Sequence, residues 1–246
     1  MLKRLILILA CVLGSLLTAK EMVIAFTGDI PPFIQDNAQT GLEVEIVREA
    51  LAIKGHEFKT VQYPYKVLEN AVEKMGVDAA AGVREKEDST YYSDFFIDFQ
   101  NAAITKTGKN LTIKRIADLK GKTIVIWQNA WRDLGDEFER YFAPTNNENY
   151  MNLYQEIGDQ KQQVELFWQN KADVIIIDVA IFRWLTKQMA EKYNVSEKLT
   201  YHDLFPQKTS FQLNFKDEEM RDDFNEGLRT IKENGIYQEI FDKYLR

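Results

Sequence analysis

Residues 171–178 of this 246-residue chain hold four consecutive β-branched side chains, Val174, Ile175, Ile176 and Ile177, between the carboxylates Asp173 and Asp178. A run apolar at successive positions presents apolar atoms to both faces of an extended backbone, so both faces must be covered. The run is too short for a buried helix, and its branched side chains favour extended backbone. It therefore predicts a strand of a parallel sheet packed on both sides, with Asp178 at its carboxyl end. In open α/β sheets small ligands bind in the crevice beyond those ends. An Asp there is a binding group, the N-cap of the apolar segment 179–185, or both at once.

The chain carries an earlier echo of this unit. An amphipathic segment at 66–75 runs into Gly76, Asp78 and the small-residue strand 77–83, the same order as helix 161–170, turn and strand at 171–178. Two α/β lobes of related design follow from that echo. Elsewhere, strands are expected at 22–26, 57–62, 101–106, 123–127, 151–154 and 210–215. Helices are expected at 42–51, from 129 to about 142, at 179–193, 217–234 and 236–244. Thr40 and Glu43 have capping-box spacing at the head of the first helix. Alternating strands and helices argue an α/β class with mostly parallel sheets. The charge run at 84–89 reads as a solvated helix start.

The first 19 residues are set apart from this fold. Lys3 and Arg4 precede an apolar run at 5–17 that ends at Leu17, Thr18 and Ala19. That is the pattern of a secretory signal peptide with a small-residue cleavage site, and the run is short for a span of ~20 residues. Cys11 lies in a loose lipoprotein box, but cutting there would leave an apolar tail at 12–17, so cleavage after Ala19 is expected. Losing Lys3 and Arg4 takes the formal net charge from −7 to −9. Such an acidic chain argues against nucleic acid as a partner. With its one cysteine removed, the exported chain must rely on its core rather than on disulfides.

Candidate site residues gather where strands end. Asp29 precedes Pro31, Pro32 and Phe33, a stiff loop after the first strand. Tyr65 follows Pro64, while Gly82 and Arg84 close the strand at 77–83. Asn129, Ala130, Trp131 and Arg132 turn from the strand 123–127 toward a helix, whose first amides form an anion site. Gly121, Lys122 and Thr123 imitate the tail of a phosphate loop, but Ile116 stands where that loop needs glycine, so no nucleotide is expected. His56 and His202 lack ligand-spaced partners. No metal or other cofactor is expected.

With these pieces in place, the chain resembles the family 3 periplasmic solute-binding proteins, the polar amino-acid receptors of ABC importers. The marks are Pro31–Phe33, residues 41–46, residues 76–82, residues 118–123, residues 172–178, and the terminal 225–244 segment containing Asn234, Gly235, Ile236 and Tyr237. The resemblance implies an α/β, two-lobed periplasmic binding protein fold of type II with two hinge crossings. Lobe 1 is then 20–105 plus 208–246 and lobe 2 is 106–207, with hinges at 105–110 and 205–209. It implies a periplasmic monomer that takes a small amino-acid-like ligand and delivers it to a membrane permease. Phe33 and Tyr65 match the aromatic walls of the ligand site, Asp178 the carboxylate that receives an α-ammonium, and Asn129 and Ala130 the turn that receives an α-carboxylate. The family's carboxylate-binding arginine is absent, Glu85, Lys86, Glu87 and Asp88 lying near its place. Arg84 is therefore expected to take over that role, with a surface pair to Glu87 or Asp88 as its alternative. Two other roles fit the same scaffold: an enzyme resembling the periplasmic cyclohexadienyl dehydratases, and a sensor input domain with a membrane partner.

Overall fold

The computed structural model describes residues 21–144, 153–205 and 207–245. The expected signal peptide at 1–19, the polar stretch at 145–149, and Met151 and Pro206 lie outside them. The strands are β1 (Glu21–Phe26), β2 (Glu57–Gln62), β3 (Ala79–Val83), β4 (Tyr91–Tyr92), β5 (Ile97–Phe99), β6 (Asn101–Lys106), β7 (Ile124–Trp127), β8 (Tyr154–Ile157), β9 (Val174–Asp178), β10 (Leu199–His202) and β11 (Thr209–Phe215). The helices are α1 (Leu42–Ala52), α2 (Tyr65–Leu68), α3 (Ala71–Met75), α4 (Asp136–Phe142), α5 (Gln160–Trp168), α6 (Val179–Gln188), α7 (Glu218–Glu233) and α8 (Ile236–Leu245).

Two sheets result, one ordered β2-β1-β3-β11-β4 with β5 on β11, the other β10-β6-β9-β7-β8. β9 behaves as its sequence dictates, since every one of its residues is buried. Val174 and Ile176 join one core with Ile124, Ile126 and Phe138, while Ile175 and Ile177 join the other with Phe167 and Phe182. In the first sheet, Met22, Ile24 and Phe26 of β1 face α1 and α7, and Ala25 faces Leu68 and Ala71. α7 lies so close on α1 that a Cβ on Gly227 would meet the Ala50 carbonyl oxygen at 1.9 Å, so only glycine permits the approach.

The sheets are mixed rather than mostly parallel. β2, β1 and β3 are parallel, as are β8, β7 and β9, but β11 and β6 join them antiparallel. The reason lies in where the chain crosses. Asn101 opens β6 opposite Asp178, the last residue of β9, so β6 starts at the edge where its neighbours finish. The expected crossing after Thr105 therefore falls earlier: Phe99 pairs in the first sheet and Asn101 already pairs in the second. The return lies between His202 and Thr209.

Other local expectations change for identifiable reasons. The helix expected at 66–75 breaks at Asn70 (φ −124°), whose side chain accepts from Lys86 Nζ at 2.9 Å. Residues 84–89 form no helix. The strand expected at 151–154 runs Tyr154–Ile157, and the helix after Asp178 ends at Gln188. The capping box at Thr40 and Glu43 does not form: Thr40 Oγ1 donates to Asp36 Oδ2 at 2.6 Å, and Glu43 turns inward. Among the described residues no helix is long and apolar enough to cross a membrane.

Candidate functional site

A cavity of about 390 Å³ opens between the two sheets at the carboxyl ends of their parallel strands. The first lobe contributes residues 27–31, Glu43, Tyr65, Gly82, Phe99 and Phe211. The second contributes Trp127, Gln128, residues 157–161, Asp178, Ile181, Leu185 and Gln188. Four carboxylates thus face this space, Asp29, Glu43, Asp159 and Asp178, with Lys161 as the one cationic side chain among its lining residues.

Asp178 sits where β9 becomes α6, and it both caps that helix and borders the cavity. Its Oδ1 accepts from the amides of Ala180 and Ile181 at 2.8 and 3.0 Å, capping α6. Its Oδ2 accepts from the Gln100 amide at 2.8 Å, tying the cap to the crossing strand. Burial raises its pKa to about 6 against the opposing pull of these amides. An ionised carboxylate offers about four acceptor sites, so three amide bonds leave room for one more donor.

Glu43, near the start of α1, is 1% exposed. Its amide donates to the Phe33 carbonyl at 2.9 Å, while its side chain passes under Gly82 to the cavity. A Cβ on Gly82, whose φ is +76°, would come within 2.9 Å of Glu43 Oε1, so glycine serves both the backbone angle and the space. Oε1 has no hydrogen-bond partner among the described residues, and burial pushes this carboxyl up to about 8.

The aromatic wall differs in part from expectation. Tyr65 lines the cavity, edge-on to Phe211 with ring centroids 6.5 Å apart, and its buried hydroxyl has no partner among the described residues. Burial raises its pKa well above the ordinary value. Phe33 lies behind the wall: it is 2% exposed and packs on Phe99 at 4.4 Å, so Phe99 and Phe211 are the rings that reach the cleft. Asp29 stands exposed at the rim, where Oδ1 accepts from Gln62 Nε2 at 2.7 Å and Oδ2 from the Asn37 amide at 3.2 Å.

Arg84 and the 129–132 turn lie outside the cavity lining and meet each other instead. Arg84 Nη1 donates to the Arg132 carbonyl and pairs with Asp133 Oδ1 at 3.3 Å, rather than with Glu87 or Asp88. Beside this pair, Glu69 accepts from Asn129 Nδ2 at 2.7 Å and faces Arg132 Nη1 at 3.5 Å. Lys66 meets Glu156 at 2.9 Å, and all of these contacts run from one lobe to the other. Ala130 is buried, and Trp131 lies under the Arg132 guanidinium at 4.9 Å. The turn itself is only a three-residue 3-10 element before α4, so no long helix aims its amides into the cleft there. Burial lifts Asp133 to about 6, opposed by the Trp127 indole N–H and Arg84.

Besides α6, whose cap is Asp178, the helix start that faces the cleft in this lobe is that of α5. Asp159 caps it, accepting from the amides of Lys161 and Gln162 at 2.8 and 3.3 Å, and residues 158–161 line the cavity. The sequence holds the signal for this, an Asp between an extended segment and an amphipathic helix, the same logic that marks Asp178. The histidines take structural partners: His56 with Asp223 at 2.7 Å, and His202 with Thr105 Oγ1 and the Ile113 carbonyl.

Comparison with known proteins agrees with this architecture. Residues 22–246 match the family described as bacterial extracellular solute-binding proteins, family 3. The arginine-binding periplasmic protein of Mannheimia haemolytica is 24% identical, with 97% of each chain covered. Among solved structures, the arginine-, lysine-, histidine-binding protein ArtJ of Geobacillus stearothermophilus superposes with a TM-score of 0.72 at 19% identity, covering 92% of this chain and 95% of its own. A histidine kinase sensor domain with similarity to periplasmic binding proteins gives 0.74 at 15% identity, covering 92% and 96%. Two α/β lobes, two crossings and a ligand-sized cleft between them accompany a family match over nearly the whole described chain, and the protein belongs to the family 3 bacterial extracellular solute-binding proteins.

Proposed function

We propose that the exported chain is the periplasmic solute-binding component of an ABC importer, and that it takes an amino acid or related zwitterion with a basic side chain between two closing lobes. The observation that carries this reading is the charge of the cleft: besides the buried Glu43, whose carboxyl keeps its proton at neutral pH, three carboxylates line it against one lysine. A cationic ligand offsets that imbalance, whereas an anionic one would be repelled. Asp178 keeps an acceptor site for an α-ammonium. The capped start of α5 at 158–161, with Lys161, offers positive potential for an α-carboxylate. Tyr65, Phe99 and Phe211 cover the apolar stem. The names of relatives that bind arginine, lysine or histidine point the same way.

The reading is one of binding rather than catalysis; with His56 and His202 engaged away from the cleft, an enzyme on this scaffold would have to draw its acid or base from the cleft carboxyls. A thermal-shift screen of amino acids, amines and dicarboxylates tests it, because a ligand that binds only the folded state raises the melting temperature. Basic amino acids are expected to give the largest shifts and dicarboxylates none. A screen in which no amino acid shifts the transition, or turnover of prephenate by the purified protein, would overturn it.

A further inference from the structure

The two charges of an amino-acid ligand meet unequal sites in this cleft. The cation site is buried: Asp178 is 5% exposed, fixed by three amides, and left with acceptor capacity. The Tyr65 hydroxyl and the Oε1 atoms of Gln128 and Gln160, all on residues that line the same cavity, are buried oxygens with no partner among the described residues. The anion site is open to water. Lys161 is the one cationic side chain among the residues lining the cavity, and it is exposed. Beside it the exposed Asp159 carboxylate already accepts the amides of Lys161 and Gln162, and it repels a second carboxylate.

Arg84 and Arg132 are committed to contacts between the lobes. Arg84 Nη1 pairs with Asp133 Oδ1 at 3.3 Å, and Arg132 Nη1 faces Glu69 Oε1 at 3.5 Å. The Asp133 side chain is 2% exposed, so an Arg84 that turned to a ligand would strand a buried carboxylate, which is strongly destabilising. Both arginines line a second hollow, with Asp136 and Glu139, instead of the cleft. A carboxylate on the ligand is thus left to the exposed start of α5, where water screens it and its attraction to Lys161 adds little to affinity. Resting on the reading that the cleft takes a basic amino acid, we infer that the α-carboxylate is dispensable, and that the ligands extend to the amines that remain when a basic amino acid loses that group. Such a molecule carries an ammonium at one end and a cationic head at the other. Asp178 holds the ammonium, Tyr65, Phe99 and Phe211 cover the stem, and the buried oxygens accept remaining N–H groups.

Titration calorimetry at pH 7 with arginine against agmatine, and lysine against cadaverine, tests this on the wild-type protein. Each amine keeps the cationic head of its amino acid and lacks only the carboxylate. The amines are expected to bind within about fivefold of the amino acids, the worth of an exposed charge at a helix start. Lys161→Gln should narrow the remaining gap. Asp178→Asn should weaken amine and amino acid alike by at least roughly tenfold, which separates binding in the cleft from loose association with an acidic surface. A larger advantage of the amino acids over the amines in wild type overturns the proposal while the amino-acid reading stands. An amine that binds Asp178→Asn as tightly as wild type sits outside the cleft and overturns it as well. Binding of the amines without the amino acids leaves the proposal standing and removes the amino-acid reading, and absence of binding by either pair removes both.

Discussion

The Arg84 guanidinium on the first lobe reaches Asp133 on the second, Nη1 to Oδ1 at 3.3 Å, and neither residue lines the ligand cavity. This pair, with Glu69–Asn129 and Lys66–Glu156, forms a polar seam that holds the lobes together beside the cleft. Arg84→Ala should therefore loosen closure without removing a ligand contact. The guanidinium is 47% exposed although Asp133 is 2% exposed; a bridge open to water on one side contributes roughly 1 kcal/mol, so calorimetry should find affinity reduced about tenfold at most. A loss of a hundredfold would mean that Arg84 touches the ligand.

Phe33 and Tyr65 should respond oppositely to substitution. Phe33, packed behind the cleft on the tilted ring of Phe99, is core, so Phe33→Ala should cost ~3–5 kcal/mol of unfolding free energy in a urea titration. Tyr65→Phe deletes a buried hydroxyl that has no protein partner among the described residues, so the fold should be unharmed while ligand affinity falls. A stable Phe33→Ala protein with selectively weakened binding would instead return Phe33 to the ligand wall.

Glu43 makes the ligand-free protein pH-sensitive. Its folded pKa of about 8 exceeds the ordinary 4.5, so the folded state binds this proton more tightly than the unfolded chain does. The contribution is intact below the unfolded value and is lost as pH rises through 8. Glu43→Gln does not titrate. Unfolding free energy of the variant minus that of wild type should therefore grow by up to about 4 kcal/mol between pH 5 and pH 8. A difference that stays constant across this window would place the carboxyl in contact with water.

Asp178 carries a structural and a binding duty that substitutions can separate. Asp178→Ala removes the α6 cap and strands the Gln100 amide, costing ~1–2 kcal/mol or more in chemical denaturation. Asp178→Asn keeps an acceptor for the cap and should cost less, yet it loses the charge that meets an ammonium. Its affinity for amino acids should drop by at least tenfold, roughly the worth of one charge-assisted hydrogen bond. Equal affinity in Asp178→Asn would mean that the ammonium sits elsewhere.

How much the sequence disclosed depends on whether a feature is local. β9 was legible because burial on both faces writes itself directly as Val174, Ile175, Ile176 and Ile177, and Asp178 was legible because a cap lies next to the helix it caps. The crossing point was not, since Ile97–Phe99 and Asn101–Lys106 are consecutive extended segments and only pairing with distant β11 and β9 separates them. Arg84 was assigned from the strand end it follows, but a long side chain reaches where its partners lie, and its partners are on the other lobe. Glu43 was hidden by its neighbours: three residues after Thr40 it imitates a capping box, and only the fold shows that the carboxyl is buried against Gly82 instead.

A crystal structure of the arginine complex tests the central claim most directly. The account expects arginine enclosed between the lobes, its α-ammonium within ~3 Å of Asp178, its carboxylate at the start of α5, and its side chain against Tyr65, Phe99 and Phe211. Arginine bound outside this cleft, or bound within it with its carboxylate on Arg84 and its ammonium away from Asp178, would contradict it.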